Sequence, residues 1–243
     1  MSQQPVVMWQ LPRIWGLPNP SPFCAKLETW LRMAAVPYET RTITGPPKSK
    51  SGKMPYIERP DGSVMSDSTA IIETLSRERG IDLDAALSPE QRGMSVLLQR
   101  SLEEHLYFLM LHERWVDEGG WARCRADYFG TMPAPVRLLV VPFVRRQVTR
   151  DARGQGLSRL SDAERLGRAR ADLDAISAVL GERDFFFDQP SNIDATAFAF
   201  LINATQTPLD LPLHREAAKR ENLVRYVARM GERYYPEGFG DGR

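Results

Sequence analysis

The sequence predicts a two-part architecture: a small mixed α/β unit over residues 1–80, then an all-helical unit over residues 88–236. Three observations predict it. Strand-like and helix-like stretches alternate up to Gly80, starting with Val6-Val7-Met8-Trp9 and a helix that opens at Ser21-Pro22. A tight hairpin signal, Asp61-Gly62, lies inside that first part. Beyond Leu87 only helical periodicity remains, and no strand can be defended there.

Val6–Trp9 reads as a strand, which Leu11–Leu17 either extends or leaves as a loop. Ser21 is a natural cap and Pro22 a natural first helical residue, so a helix is expected to about Ala35, with Cys24, Leu27, Leu31 and Ala34 on one face. Phe23 and Trp30 widen that face, and a helix this apolar packs on a sheet. Tyr38–Ile43 is a second strand, residues 44–52 a Pro/Gly/Lys loop, Tyr56–Arg59 a third strand and Ser63–Met65 its return. Asp67 or Ser68 caps a helix ended by Gly80. Parallel pairing across the first crossover and an antiparallel hairpin would make a small mixed sheet.

Ile81–Leu87 reads as a linker, and Ser88-Pro89-Glu90-Gln91 as a capping box opening a long helix with Met94, Leu98, Leu102, Leu106 and Leu109 on its core face. Gly119-Gly120 is expected to stop it. A second helix is expected over Ala134–Arg153, kinked or split at Pro142, with a loop at Gly154–Gly156. A third, capped by Ser161 and Glu164, runs to Gly181 with Leu166, Leu173, Ile176 and Val179 inward. An unusually apolar helix follows Ser191-Asn192-Ile193-Asp194 to about Ala204 and should form the centre of the second unit. A last helix covers Arg215–Met230, before a glycine-rich, loose tail beyond Pro236.

The bulk numbers exclude several classes. The 243 residues are 42% hydrophobic and 26% charged, an ordinary globular balance. The formal net charge of +1 gives no argument for nucleic acid or for an acidic membrane surface. The 2 cysteines, Cys24 and Cys124, make no disulfide framework in a chain this long, and reduced thiols in a cytoplasmic protein are the simpler reading. The histidines and cysteines lack metal-ligand spacing, so no metal is expected. The first residues lack a signal-peptide pattern, and the apolar run Leu138–Val144 is too short to span a bilayer.

Four places could carry chemistry. A helix N-terminus after a parallel strand stabilises anions, so Ser21 is either a cap or the donor of a hydrogen bond to a bound thiolate. Cys24, three residues on, is either a core thiol or a redox group. Met54-Pro55 enters a strand and, with a cis peptide, could present a backbone edge to an extended peptide-like ligand. Asp67-Ser68 is a cap or the holder of an α-amino and α-carboxylate pair, and Lys50 and Lys53 are loop charges that could meet a second carboxylate.

Taken in order, Ser21-Pro22-Phe23-Cys24, Lys53-Met54-Pro55-Tyr56-Ile57, Asp61-Gly62 and Asp67-Ser68 with Ile71-Ile72 resemble the thioredoxin-like domain of glutathione transferases. Phe185-Phe186-Phe187 followed by Pro190-Ser191-Asn192-Ile193-Asp194 resembles that family's approach to its central helix. Leu31-Arg32-Met33-Ala34, Pro37-Tyr38 and Lys53–Ile57 look like its metaxin and failed-axon-connections branch. The resemblance implies an α/β thioredoxin-like N-terminal domain with an all-α C-terminal domain. It implies glutathione as co-substrate and a homodimer. It places Ser21 at the catalytic position and Met54, before Pro55, at the backbone that binds the cysteinyl group. It places Asp67 and Ser68 on the γ-glutamyl group and Lys53 near the glycyl end. Asp67 stands where a glutamate is more usual, and the branch includes members with interaction or transport roles.

An acceptor pocket for a small apolar electrophile is expected between the domains, lined by Trp15, Leu17, Tyr107, Leu111, Trp115, Arg123 and Tyr128. The leading expectation is a glutathione-dependent transferase using Ser21. One alternative is a non-catalytic binding or scaffold protein whose cleft is filled by those aromatics. Another is a glutathione-dependent reductase or lyase using Cys24.

Overall fold

The first strand, β1 (Val6–Gln10), alternates: Val6, Met8 and Gln10 are buried, and Val7 and Trp9 are half-buried. That period of two lays one face on a core. In the computed structural model, which describes residues 4–43 and 45–239, β1 runs parallel to β2 (Tyr38–Thr42) and antiparallel to β3 (Tyr56–Glu58), which pairs antiparallel with β4 (Val64–Ser66). The order is β2-β1-β3-β4. Met1–Gln3 of the predicted first unit, Thr44 of the predicted loop and the last four residues of the predicted tail, from Gly240 on, lie outside the described residues.

The crossover from β1 to β2 is α1 (Pro22–Met33), capped by Ser21 and started by Pro22 as its sequence requires. Cys24, Leu27, Trp30 and Leu31 join Met8, Ile57 and Ile71 in the sheet-side core. The opposite side is buried too, because α1 packs against α8 (Asn192–Thr205) of the helical part. This double burial encloses charges. Lys26 Nζ meets Glu103 at 2.6 Å and Thr69 Oγ1 at 2.7 Å, and the fully buried Glu28 accepts from Arg13 at 2.5 Å and from the Tyr38 hydroxyl at 3.0 Å. Such groups are tolerated only when paired. α2 (Ser68–Arg79) ends at Gly80 in the left-handed conformation and closes the first part.

The helical part follows the predicted capping boxes at Ser88 and Ser161, and Ser191 with Asp194 forms a third at the start of the apolar helix. α3 (Pro89–Arg100) leads through a π-helical stretch, Ser101–Leu106, into α4 (Tyr107–Leu111) and a second π-helical stretch, His112–Val116. Leu98, Leu102, Leu106 and Leu109 are buried as expected, but Met94 is 38% exposed. Gly119-Gly120 does not end this run. Asp117 breaks it and caps a helix the sequence reading missed, α5 (Glu118–Phe129). Gly120 is there for proximity: a Cβ on it would lie 1.7 Å from the Glu113 carbonyl oxygen.

α6 (Ala134–Gln155) continues through Pro142 unsplit and absorbs Gly154 and Gln155, the first two residues of the expected loop; a 3-10 turn, Leu157–Arg159, follows. α7 (Asp162–Leu180) matches its prediction, and α8 is buried on nearly every side. The predicted last helix is two, α9 (Pro212–Ala218) and α10 (Glu221–Tyr234). Up to Phe239 the tail is tied down. Arg13 donates to the Phe239 carbonyl at 2.7 Å, Glu237 pairs with Arg32, and the Phe239 ring packs on Tyr235. No helix among the described residues is long and apolar enough to cross a membrane.

Candidate functional site

The sheet register brings the sequence motifs together. Trp9, near the end of β1, pairs with Tyr56 at the start of β3, and Tyr56 pairs with Ser66 at the end of β4. The turn into α1 (Ser21), the entry to β3 (Met54-Pro55) and the turn into α2 (Asp67-Ser68) therefore sit at one end of the sheet.

At Ser21 the backbone is extended, and its N–H donates to Asn19 Oδ1 at 3.0 Å. Asn19 in turn donates to the Leu11 carbonyl at 2.9 Å and to Gln10 Oε1 at 3.2 Å. The Ser21 hydroxyl accepts from the Cys24 N–H at 3.5 Å, a long contact, and stays partly exposed. Cys24 is fully buried, and burial pushes its thiol up to about 12. That thiol has neither thiolate character nor access.

The Met54-Pro55 peptide is cis, and among the described residues the Met54 N–H and carbonyl bond no other backbone group. Asp67 adopts φ 81, uncommon for a residue with a Cβ, and its Oδ1 accepts from the Thr69 and Ala70 N–H groups at 3.0 and 3.1 Å. Its carboxylate is exposed, while Ser68 is buried at the first position of α2. Lys50 and Lys53 are exposed on the loop before Met54.

The predicted acceptor residues divide. Trp15, at φ 64 on the loop after β1, donates Nε1–H to Asp127 at 2.7 Å and packs on Tyr128 at 5.2 Å between ring centres. Trp115 stacks on Tyr128 at 5.3 Å and meets Trp121 at 5.4 Å. Tyr107 packs edge-on to Phe23 at 4.9 Å, beside the Ser21 turn, and burial pushes its hydroxyl up to about 12. Leu111 is half-buried. Leu17 corrects the expectation: it is fully buried in the helical core and offers a ligand no surface. Arg123 turns its guanidinium to the Leu209 carbonyl, and also donates to the Asp210 carbonyl at 3.4 Å, fastening α5 to the turn before α9.

Two residues the sequence reading passed over hold this arrangement. Arg114, buried in the second π-helical stretch, donates to the Pro20 carbonyl at 3.1 Å, to Asn203 Oδ1 at 3.2 Å and to the Asn203 carbonyl at 2.8 Å. Its guanidinium also lies 5.3 Å from the Trp15 ring centre. Asn203 completes the link by donating to the Asn19 carbonyl at 3.0 Å. The loop that carries Trp15 and Ser21 is thus pinned by polar groups of α8 and of the π-helical stretch. The signal was available for Asn203, the one amide late in an otherwise apolar helix. It was not available for Arg114, because a π-helical turn shifts the buried face off a 3.6-residue period. Beneath this network Glu113 Oε1 accepts from the Leu213 N–H at 2.9 Å, while burial pushes its carboxyl up to about 7 and drives the neighbouring His214 down to about 3. No group of three or more His, Cys, Asp or Glu among the described residues is placed to hold a metal.

The family comparisons agree with this construction. Residues 22–120 match the glutathione S-transferase N-terminal domain, and residues 169–230 the glutathione S-transferase C-terminal domain. The isoprene-epoxide–glutathione S-transferase of Rhodococcus sp. (strain AD45) is 31% identical, over 90% of this chain and 95% of that protein. Failed axon connections of Drosophila melanogaster is 30% identical over 96% of this chain, which spans 58% of its length. Metaxin-1 of Sus scrofa is 29% identical over 91% of this chain and 73% of its own. In fold, the chain resembles glutathione transferase GSTFuA2 of Phanerochaete chrysosporium, at TM-score 0.64 and 15% identity over 96% of this chain and 99% of that one. A Methylobacterium radiotolerans glutathione S-transferase solved with glutathione sulfonate gives TM-score 0.60 at 16% identity, over 99% and 97% of the two chains. With relatives in both the classical and the metaxin and failed-axon-connections branches, the chain belongs to the glutathione S-transferase superfamily.

Proposed function

We propose that the chain is a glutathione-dependent transferase that joins the tripeptide to a small apolar electrophile. The observation that carries this reading is the meeting of Ser21, Met54-Pro55 and Asp67-Ser68 at one end of the sheet. Residues 1–80 form the glutathione-binding domain and residues 88–236 the helical domain that supplies the acceptor wall.

The γ-glutamyl carboxylate meets the α2 amides and the Ser68 hydroxyl, and Asp67 accepts from the ammonium. The free N–H and carbonyl of Met54 pair with the cysteinyl unit in ladder fashion, and Lys53 faces the glycyl carboxylate. The Ser21 hydroxyl donates to the sulfur and favours its ionised form, whose proton passes to solvent. The thiolate then forms a carbon–sulfur bond as the carbon–leaving-group bond breaks; where the electrophile is an epoxide, the freed oxygen takes a proton from water. Trp15, Tyr107, Leu111, Trp115 and Tyr128 supply an apolar wall. A relative named for an isoprene epoxide supports a small apolar acceptor. A homodimer in the cytoplasm completes the reading.

A second reading, a non-catalytic binding protein, is favoured by the stacking of Trp15, Trp115 and Tyr128 on one another, which fills part of the wall with the chain's own rings. The route through Cys24 is set aside, because its thiol is buried and held protonated. Calorimetric titration with glutathione, together with ultraviolet absorbance of the bound thiolate, tests the first reading on wild type and Ser21→Ala. Similar binding with thiolate absorbance lost only in Ser21→Ala is expected. Absence of binding in both proteins leaves the binding-protein reading in its place.

A further inference from the structure

Charge is distributed unevenly over this molecule. Five arginines and one aspartate give α6 a formal charge of +4, in a chain whose total is only +1. The same helix carries the most exposed large apolar side chains of the described residues: Leu139 at 79%, Leu138 at 75% and Phe143 at 69%.

These residues follow a single geometry. Val141, Arg145, Val148 and Ala152 recur every three or four positions on the inward face; Val141 and Ala152 are buried, and Arg145 donates to the Trp115 carbonyl at 3.1 Å. Val136, Leu139, Phe143, Arg146 and Arg150 recur at the same spacing on the opposite, outward face. That face is apolar over its first turns and cationic over its last, and Arg153 follows on its margin. Among the described residues, Arg146 has no ion-pair partner and Arg150 has only its own neighbour Asp151, at 3.6 Å.

We propose that the outward face of α6 docks on the surface of an anionic lipid bilayer. Val136, Leu139 and Phe143 enter the headgroup–acyl boundary while Arg146, Arg150 and Arg153 meet lipid phosphates. The helix lies in the interface plane, since its apolar stretch is far too short to cross. A second copy of the chain is a poorer occupant. A two-fold contact through this face sets one cationic helix against another. The exposed Val96 and Leu97 on α3, flanked by both charge signs, lack that repulsion.

Co-sedimentation of the full chain with vesicles tests the proposal. One set contains equal parts phosphatidylcholine and phosphatidylglycerol, the other phosphatidylcholine alone. Binding to the anionic set is expected to exceed that to the neutral set by roughly tenfold and to fall with added salt. Both Leu139→Asp/Phe143→Asp and Arg146→Glu/Arg150→Glu are expected to abolish it, with circular dichroism unchanged because all four side chains are exposed. Wild-type protein that remains in the supernatant, binds both vesicle sets equally or tolerates either pair of substitutions overturns the proposal. So does analytical ultracentrifugation in which Leu139→Asp/Phe143→Asp splits a dimer, or saturable capture of an acidic protein without vesicle binding.

Discussion

The two sides of the candidate site are built by different means. On the sheet side, every candidate group belongs to a turn or a cap: Ser21 begins α1, Pro55 enters β3, and Asp67 begins α2. Their positions follow from backbone geometry and strand register. On the helical side, Trp115 stacks on Tyr128, against which Trp15 of the loop after β1 also packs, and below them lie the buried polar groups of Arg114, Asn203, Glu113 and His214. The sheet side can keep its shape when a side chain changes. The helical side has no shape apart from its side chains, so substitutions there reach stability and acceptor range together.

The sharpest test of that contrast is Asn203→Leu. It removes one acceptor, Oδ1, from the buried Arg114 guanidinium and one donor to the Asn19 carbonyl. The main-chain carbonyl survives in the variant, but its alignment depends on the amide. A loss of about 3–5 kcal/mol is expected in urea unfolding, as for a buried charged donor and a buried carbonyl each left short of a partner. A variant as stable as wild type would show that the network is dispensable.

Trp115→Ala follows. Removing a large ring from the stack should cost about 3 kcal/mol and should widen the range of acceptors turned over. Steady-state rates with a short and a bulky epoxide are the measurement. An unchanged ratio between the two would separate Trp115 from acceptor selection.

Glu113 gives the helical side a pH signature. Its folded carboxyl lies near 7, above the 4.5 of an ordinary glutamate, so the folded state holds the proton more tightly. The stabilisation present below about 4.5 is lost as pH rises through 7, by up to about 3 kcal/mol. His214 acts in the opposite sense, with stability lost as pH falls below 6.5 because the unfolded imidazole takes a proton the buried one refuses. Unfolding midpoints of Glu113→Gln, measured from pH 5 to 8, should lose the alkaline decline and keep the acid one.

The smallest expected effect lies on the sheet side. Asp67→Ala loses a cap and keeps a positive φ, for about 2 kcal/mol. Asp67→Gly loses the cap but suits the backbone, so its cost should stay below about 1 kcal/mol. Both should weaken glutathione binding alike in calorimetry if the carboxylate serves the ligand. Binding that tracks stability instead would make Asp67 only a cap.

The same division explains what could be read in advance. The caps at Ser21, Asp67, Ser88, Ser161 and Ser191, the strands and the Met54-Pro55 turn are local signals, set by one hydrogen bond or one fixed φ, and each stands where its residues put it. Leu17 was misplaced because an apolar residue on a loop carries no mark of which side covers it; α8 and its neighbours do. Helix α5 was missed because Gly119-Gly120 reads as a stop. Here glycine serves close approach to the Glu113 carbonyl, which is a property of the packed pair. Pro142 does not split α6, which continues through it with the proline exposed.

By itself, the sequence determined the mixed sheet, the capped helix starts at Ser21, Asp67, Ser88, Ser161 and Ser191, and the three motifs of the sheet side, because short-range hydrogen bonding and backbone stereochemistry specify them. Only the tertiary structure decided that Cys24 is shut in the core, that Arg114 and Asn203 pin the loop of Ser21, and that the outward face of α6, with Arg146 and Arg150, is left uncovered. Burial and charge neighbours are set by residues distant along the chain, and no local pattern encodes them.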